Sequence, residues 1–198
     1  IAIKKMQLRH VVITSVDRDD LKDDYGSSIW GETINQIREH VPGCTVEVLT
    51  PDFKGYRPAL ERVFNTRPDI FSHNVECVER ISRKVRSQAN WERSIDILRQ
   101  SAEFGLYTKT GIMVGLGENF DEVVNTMQEI KKSGVSIFTI GQYLQPTKEN
   151  LPVQRYVSND EFETYKRIGL HLGFDIVESG PLVRSSYHAD EQARLALD

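Results

Sequence analysis

Apolar residues follow two rhythms along this chain. Short runs rich in β-branched residues, such as Val11-Val12-Ile13, alternate with longer stretches where apolar positions recur every three or four residues. The runs predict strands at His10–Val16, Thr45–Thr50, Asp69–Val75, Thr108–Val114, Ser136–Gly141 and Phe174–Glu178. The stretches between them predict helices at Ser28–His40, Arg57–Asn65, Trp91–Phe104, Asp121–Lys132 and Asp160–Leu172. End signals agree: Asn119 stands where a helix N-cap belongs, Gly134 where a left-handed residue closes the same helix, and Ser158 and Glu161 have the spacing of a capping box.

A repeated strand-helix order predicts an α/β fold with a parallel sheet, either a barrel of the TIM type or a doubly wound open sheet. Nearly every predicted strand ends in polar residues: Ser15 and Asp17; Asp52; His73, Asn74 and Glu76; Glu118 beyond Gly115 and Gly117; Gln142 and Gln145. Reactive groups gather at the C-terminal ends of parallel strands. Polar groups from five successive strands suit a barrel mouth better than one crevice, so the expectation is a partial (β/α) barrel of the TIM type. It requires Asp17, Glu76, Glu118 and Gln142 to share one side of the molecule. A full barrel takes about 250 residues, and Lys4–Arg9 reads as a helix end feeding straight into a strand, so the barrel is expected to be truncated at its N-terminus.

With 198 residues, one domain is expected. A net charge of -4 with both signs dispersed excludes the basic stripe that nucleic acid binding needs. The sequence has no apolar run near the roughly 20 residues that span a bilayer. Cys44 and Cys77 lie far apart and read as buried or incidental thiols rather than a disulfide framework or C-x-x-C pair.

Thr14-Ser15-Val16-Asp17-Arg18-Asp19-Asp20 crowds three carboxylates beside two hydroxyls, able to accept from an ammonium, to hold a divalent ion, or simply to cap and solvate a loop; Asp19 and Asp20 read as the solvated pair. Asn74 and Glu76, two apart on a strand, should share a face and could grip a ribose or an acyl amide. His73 reads as structural. Among Arg80, Arg83, Lys84 and Arg86, the last lies just beyond a short helix, where its guanidinium could fold back onto a substrate carboxylate. Gly115-Leu116-Gly117-Glu118 allows close backbone approach to a ligand without the third glycine of a dinucleotide fingerprint. Gln142 to Gln145 offers amides to an adenine edge, or is a turn before Pro146. The tail from Ser179 is dense in polar groups whose purpose chemistry alone leaves open.

Several stretches together resemble lipoyl synthases of the radical S-adenosylmethionine superfamily. They are Val-Ile-Thr-Ser-Val-Asp-Arg-Asp-Asp-Leu at 12–21, Leu-Thr-Pro-Asp-Phe at 49–53, His-Asn-Val-Glu at 73–76, Arg-Lys-Val-Arg at 83–86 and Gly-Leu-Gly-Glu at 115–118. The same order continues with Thr-Ile-Gly-Gln-Tyr-Leu-Gln-Pro at 139–146, Leu-Pro-Val-Gln-Arg-Tyr at 151–156 and Ser-Gly-Pro-Leu-Val-Arg-Ser-Ser-Tyr-His-Ala at 179–189. The resemblance implies an incomplete barrel domain at 1–178 and a C-terminal tail at 179–198. It implies two 4Fe-4S clusters and S-adenosylmethionine as cofactors, and insertion of two sulfur atoms at C6 and C8 of a protein-bound octanoyl group. Implied partners are octanoylated lipoyl carrier domains, namely 2-oxoacid dehydrogenase E2 subunits and the glycine cleavage H protein, and an electron donor such as flavodoxin or ferredoxin. The implied compartment is the cytoplasm, or the mitochondrial matrix in a eukaryote.

By the same resemblance Thr14, Ser15 and Asp17 would hold the amino group of S-adenosylmethionine, Glu76 its ribose and Arg86 its carboxylate. Gly115, Gly117 and Glu118, with Gln142 and Gln145, would border its adenosyl end; Asn74 would face the octanoyl amide. Ser186 would ligate an iron of the auxiliary cluster, with Ser185 the alternative. The family's two cysteine triads, C-x-x-x-x-C-x-x-x-x-x-C and C-x-x-x-C-x-x-C, do not occur in these residues, so this polypeptide alone is expected to bind neither cluster properly and not to turn over. Two other readings remain: a cluster-free module that binds S-adenosylmethionine or lipoyl carrier domains, and a metal-dependent barrel aldolase or hydrolase using Asp17, Asp52 and Glu76.

Overall fold

The computed structural model describes residues 2–86 and 90–197. Six strands form one sheet: β1 (His10–Thr14), β2 (Thr45–Leu49), β3 (Ile70–Ser72), β4 (Thr108–Val114), β5 (Ile137–Gln142) and β6 (Ile176–Gly180). All pair in parallel and strictly in chain order, β1 through β6. A doubly wound sheet reverses its order at a switch point; this one does not, so the architecture is the expected partial barrel, open between β1 and β6. Its helices are α1 (Ala2–Lys5), α2 (Ser27–His40), α3 (Arg57–Asn65), α4 (Glu79–Val85), α5 (Trp91–Glu103), α6 (Phe120–Lys132), α7 (Asn159–Leu172) and α8 (Ala189–Leu197). Among the described residues no helix is long and apolar enough to cross a membrane.

Paired residues of neighbouring parallel strands share a face, and the two faces here differ in chemistry. Val46, Val48, Phe71, Ile112, Phe138, Ile140 and Val177 line the outer face. They are buried with Trp30, Ile34, Leu60 and Phe64 of α2 and α3 on one side, and with Val123, Met127, Phe162 and Tyr165 of α6 and α7 on the other. The inner face carries His10, Glu47, Ser72, Lys109, Gly111, Thr139 and Gly141. Lys109 Nζ lies 2.9 Å from Glu47 Oε1, both side chains almost wholly buried, and His10 Nε2 stands 3.8 Å from Glu47 Oε2. The middle of the lumen thus holds a polar cluster, and the larger hydrophobic core lies outside the sheet.

Where the predicted boundaries move, hydrogen bonding explains it. Strand β3 stops at Ser72 because of a bulge: Ser72 pairs with Lys109, yet the next bridge joins Glu76 to Ile112, one extra residue on the β3 side. Ser158 Oγ accepts the Glu161 N–H at 3.2 Å, but the Glu161 carboxylate turns to Arg155 at 2.7 Å and to the Tyr165 hydroxyl at 2.5 Å, so half of the expected capping box forms. The complete box is Asn119 with Glu122 at the start of α6.

The tail departs most from expectation. The boundary at 178 falls inside β6, and the chain beyond Gly180 folds back over the barrel. A Cβ on Gly141 would overlap the Val183 carbonyl, so the tail needs glycine there. Helix α8 then places Ala193 and Ala196 against Ile70, Ile137 and Ile176, which start their strands on the inner face, and closes that end.

Candidate functional site

At the C-terminal ends of β1, β2 and β3 lies a cavity of ≈150 Å³ lined by Thr14, Ser15, Asp17, Asn74, Glu76 and Arg86, with Thr50, Pro51 and His73 behind them. Six residues singled out from the sequence therefore meet in one place. Thr14 ends β1 and Asp17 follows in the loop. The β3 bulge carries Asn74 and turns Glu76 into a left-handed conformation at φ 74°, an uncommon state for a non-glycine residue. Arg86 caps α4, its N–H donating to the Ser82 carbonyl at 2.9 Å, and its guanidinium reaches back between two acids. Nη2 is 3.8 Å from Asp17 Oδ2, and Nη1 is 3.7 Å from Glu76 Oε1.

Both contacts exceed hydrogen-bond length, so the cavity holds two carboxylates and one guanidinium with bonding capacity to spare. Desolvation pushes the Glu76 carboxyl above its ordinary value, against the pull of Arg86. Asn74 donates from Nδ2 to Ser185 Oγ at 2.8 Å, while its buried Oδ1 has no partner among the described residues. His73 has no such freedom: Nδ1 meets the Thr50 carbonyl and Nε2 the Ser94 hydroxyl, each at 3.0 Å, and burial lowers its pKa and keeps the ring neutral.

The ends of β4 and β5 are built differently. Glu118 is buried and accepts the N–H groups of Gly115 at 2.6 Å and Leu116 at 2.9 Å. Gln142 donates to the carbonyls of Tyr143 and Arg155 and accepts the Val157 N–H at 2.9 Å. A Cβ on Gly115, at φ 98°, would overlap Gln142 Nε2 and the Arg155 carbonyl. These residues stand on the same rim as Asp17 and Glu76, but Glu118 and Gln142 aim no free group at the cavity; they fix the turn at Gly115 to Gly117 and the segment through Arg155. Gln145 is exposed and donates to the Asn150 carbonyl at 2.8 Å, closing its own loop.

Asp52 is likewise engaged, accepting from Arg93 Nη1 at 2.8 Å and from the Lys54 N–H at 2.9 Å; although desolvation raises its pKa, these bonds lower it more. Asp19 and Asp20, read as solvated, are ion-paired: Asp19 with Lys54 at 2.5 Å and Asp20 with Arg18 at 2.7 Å. Arg80 grips both oxygens of Glu122, holding that carboxyl down at about 2. Sequence reasoning missed the Asn74–Ser185 bond and the Lys109–Glu47 pair. A lone lysine inside an otherwise buried strand was the available signal for the second; nothing local announces the first.

The donor set suits a zwitterionic, hydroxyl-bearing ligand. It does not suit an iron-sulfur cluster: both cysteines are buried, and desolvation raises the Cys44 thiol and pushes that of Cys77 up to about 12, away from the thiolate a cluster needs. Among the described residues no three His, Cys, Asp or Glu side chains gather to hold a metal ion. Asp17, Asp52 and Glu76 are not such a group, with Asp52 bound to Arg93, and the metal-dependent hydrolase reading loses its support.

The Radical SAM superfamily profile matches residues 1–130. The chain is 56% identical over 193 residues to the lipoyl synthase of Rubrobacter xylanophilus, covering 96% of this chain and 60% of that protein. It is 53% identical over 190 residues to the lipoyl synthase of Parabacteroides distasonis, covering 96% of this chain and 67% of that one. The chain thus spans roughly three fifths to two thirds of the length of these relatives. Among solved structures, the FeFe-hydrogenase maturase HydG superposes with a TM-score of 0.65 at 11% identity, over 96% of this chain and 49% of that one, a likeness of fold. With its profile match and its sequence identity to curated relatives, the chain belongs to the radical SAM superfamily and, within it, to the lipoyl synthase family.

Proposed function

We propose that this chain supplies the S-adenosylmethionine-binding wall of a lipoyl synthase, whose complete form inserts sulfur at C6 and C8 of an octanoyl group on a lipoyl carrier domain. The observation that carries the reading is the cavity where Arg86 stands within 4 Å of both Asp17 and Glu76 without hydrogen-bonding to either. An amino-acid head group matches it. Its ammonium can take Asp17 with the hydroxyls of Thr14 and Ser15, and its carboxylate can take Arg86 in the two-pronged geometry guanidinium favours. Glu76 can accept from both hydroxyls of a ribose. The adenosyl end would lie along the rim beside Gly115 and Gly117. Glu118, Gln142 and Gln145 would serve by shaping that rim. Asn74 would offer Oδ1 to the octanoyl amide, and Ser186 its hydroxyl to the auxiliary cluster.

The two 4Fe-4S clusters, when bound, supply reductive cleavage of S-adenosylmethionine and the sulfur itself. This chain's residues would orient the sulfonium by its amino-acid end. Octanoylated E2 subunits or H protein would present the substrate. A flavodoxin or ferredoxin would supply electrons, in the cytoplasm or, in a eukaryote, the mitochondrial matrix. The test is anaerobic reconstitution of the full-length protein with iron and sulfide. About eight irons per chain and release of 5'-deoxyadenosine on reduction with an octanoylated carrier are expected. A colourless protein that still binds S-adenosylmethionine would replace this reading with a cluster-free binding module.

A further inference from the structure

We propose that Ser185 is a positioning residue: its hydroxyl, held by Asn74, latches the turn from Arg184 to Tyr187 over the barrel mouth and so sets where Ser186 stands. The role of Ser186 rests on the function proposed above; the latch does not.

The bond from Asn74 Nδ2 to Ser185 Oγ, 2.8 Å long, joins residues 111 apart in sequence. Among the described residues it is the one side-chain hydrogen bond between the segment 181–188 and the strand ends. The other bonds of that segment run within it or to α8: the Tyr187 N–H to the Arg184 carbonyl at 2.9 Å, the Val183 N–H to the Gly180 carbonyl at 3.2 Å, the Ala189 N–H to the Ser186 carbonyl at 3.3 Å, and the Gln192 N–H and side-chain amide to the carbonyls of His188 at 2.9 Å and Tyr187 at 2.7 Å. Those shape the turn without tying it to β3. Against β5 the segment has shape alone, with the Val183 carbonyl in the space that Gly141 leaves.

The two serines are consequently not equivalent. Ser185 is half-buried and bonded, and Ser186 is exposed. A hydroxyl can accept from an amide nitrogen or donate to an amide oxygen, so the latch survives either orientation of the Asn74 amide. Asn74 is also a wall of the cavity, with Oδ1 buried and unpartnered among the described residues, so the tail is anchored on a side chain that a bound molecule would touch.

Hydrogen exchange at the Val183 and Tyr187 amides of the full chain tests this, comparing wild type, Ser185→Ala, Asn74→Ala, the double variant and Ser185→Thr. Loss of one hydrogen bond of about 1 kcal/mol speeds exchange roughly fivefold, so each single alanine variant should do that. The double variant should exchange no faster than either single one, and Ser185→Thr, which keeps the hydroxyl, should match wild type. Unchanged exchange in Ser185→Ala, or effects that multiply in the double variant, overturns the latch. Should Asn74→Ala fail to fold, Ser185→Ala against Ser185→Thr decides alone: slow exchange restored by threonine supports the latch, and equal rates refute it. A protein that shows the latch but takes up no iron refutes the proposed function and not the latch; the converse result refutes the latch alone.

Discussion

Two halves of the barrel mouth use the same kinds of side chain in opposite ways. At the ends of β1 and β3, Asp17, Glu76 and Arg86 are partly exposed, with Arg86 3.8 Å from Asp17 and 3.7 Å from Glu76. At the ends of β4 and β5, Glu118 and Gln142 are buried and bonded to backbone at 2.6 to 3.1 Å. Polar groups whose bonds close within the chain build the frame; those left short of partners are available to a ligand. Being polar and at the end of a barrel strand does not by itself distinguish the two.

Substitutions should separate the halves, beginning with the frame. Gly115→Ala forces a side chain into a left-handed turn and onto Gln142 and the Arg155 carbonyl, and should lower the free energy of unfolding in urea by about 4 kcal/mol. Glu118→Ala leaves two buried N–H groups without an acceptor and should cost about 3 kcal/mol. In the other half, Asp17→Asn should leave unfolding within about 0.5 kcal/mol of wild type. Calorimetry on the iron-loaded full-length protein should show its S-adenosylmethionine affinity falling at least about tenfold, the worth of one charged hydrogen bond. If Asp17→Asn destabilises the fold as much as Glu118→Ala, the contrast is gone.

Acid should act through the wall between cavity and core. Burial lowers the pKa of His73 below its ordinary 6.5, so the unfolded chain takes up a proton that the folded one refuses. Its contribution to stability is complete above that pH and declines below it, by at most about 1.4 kcal/mol per pH unit. A urea midpoint followed from pH 7.5 to 5 would show the decline. The smallest effect belongs to Asp20, held at about 2 by Arg18 at the surface: Asp20→Asn should move neither the urea midpoint nor the ligand affinity.

How legible the molecule was in its sequence follows the same division. Strand β4 and helix α3 appear at the residues predicted, since a buried parallel strand needs a continuous run of suitable residues and a helix its apolar stripe. Helix α8 escaped because its inward positions are three alanines, Ala189, Ala193 and Ala196, and the polar Gln192, which barely mark an apolar stripe. The meeting of Thr14, Ser15, Asp17, Asn74, Glu76 and Arg86 was legible because each lies just past a strand or short helix, and parallel topology gathers such positions. The internal use of Glu118 and Gln142 was not, because which backbone group a polar side chain meets depends on loops from elsewhere in the chain.

One consequence of the strand order concerns timing. Since every strand pairs with its sequence neighbour, a ribosome releases the walls one after another in the order they assemble, and all six can be standing before the residues beyond Gly180 emerge. The segment that crosses the mouth arrives last among these parts. Until it does, the polar interior is open to whatever must be installed there.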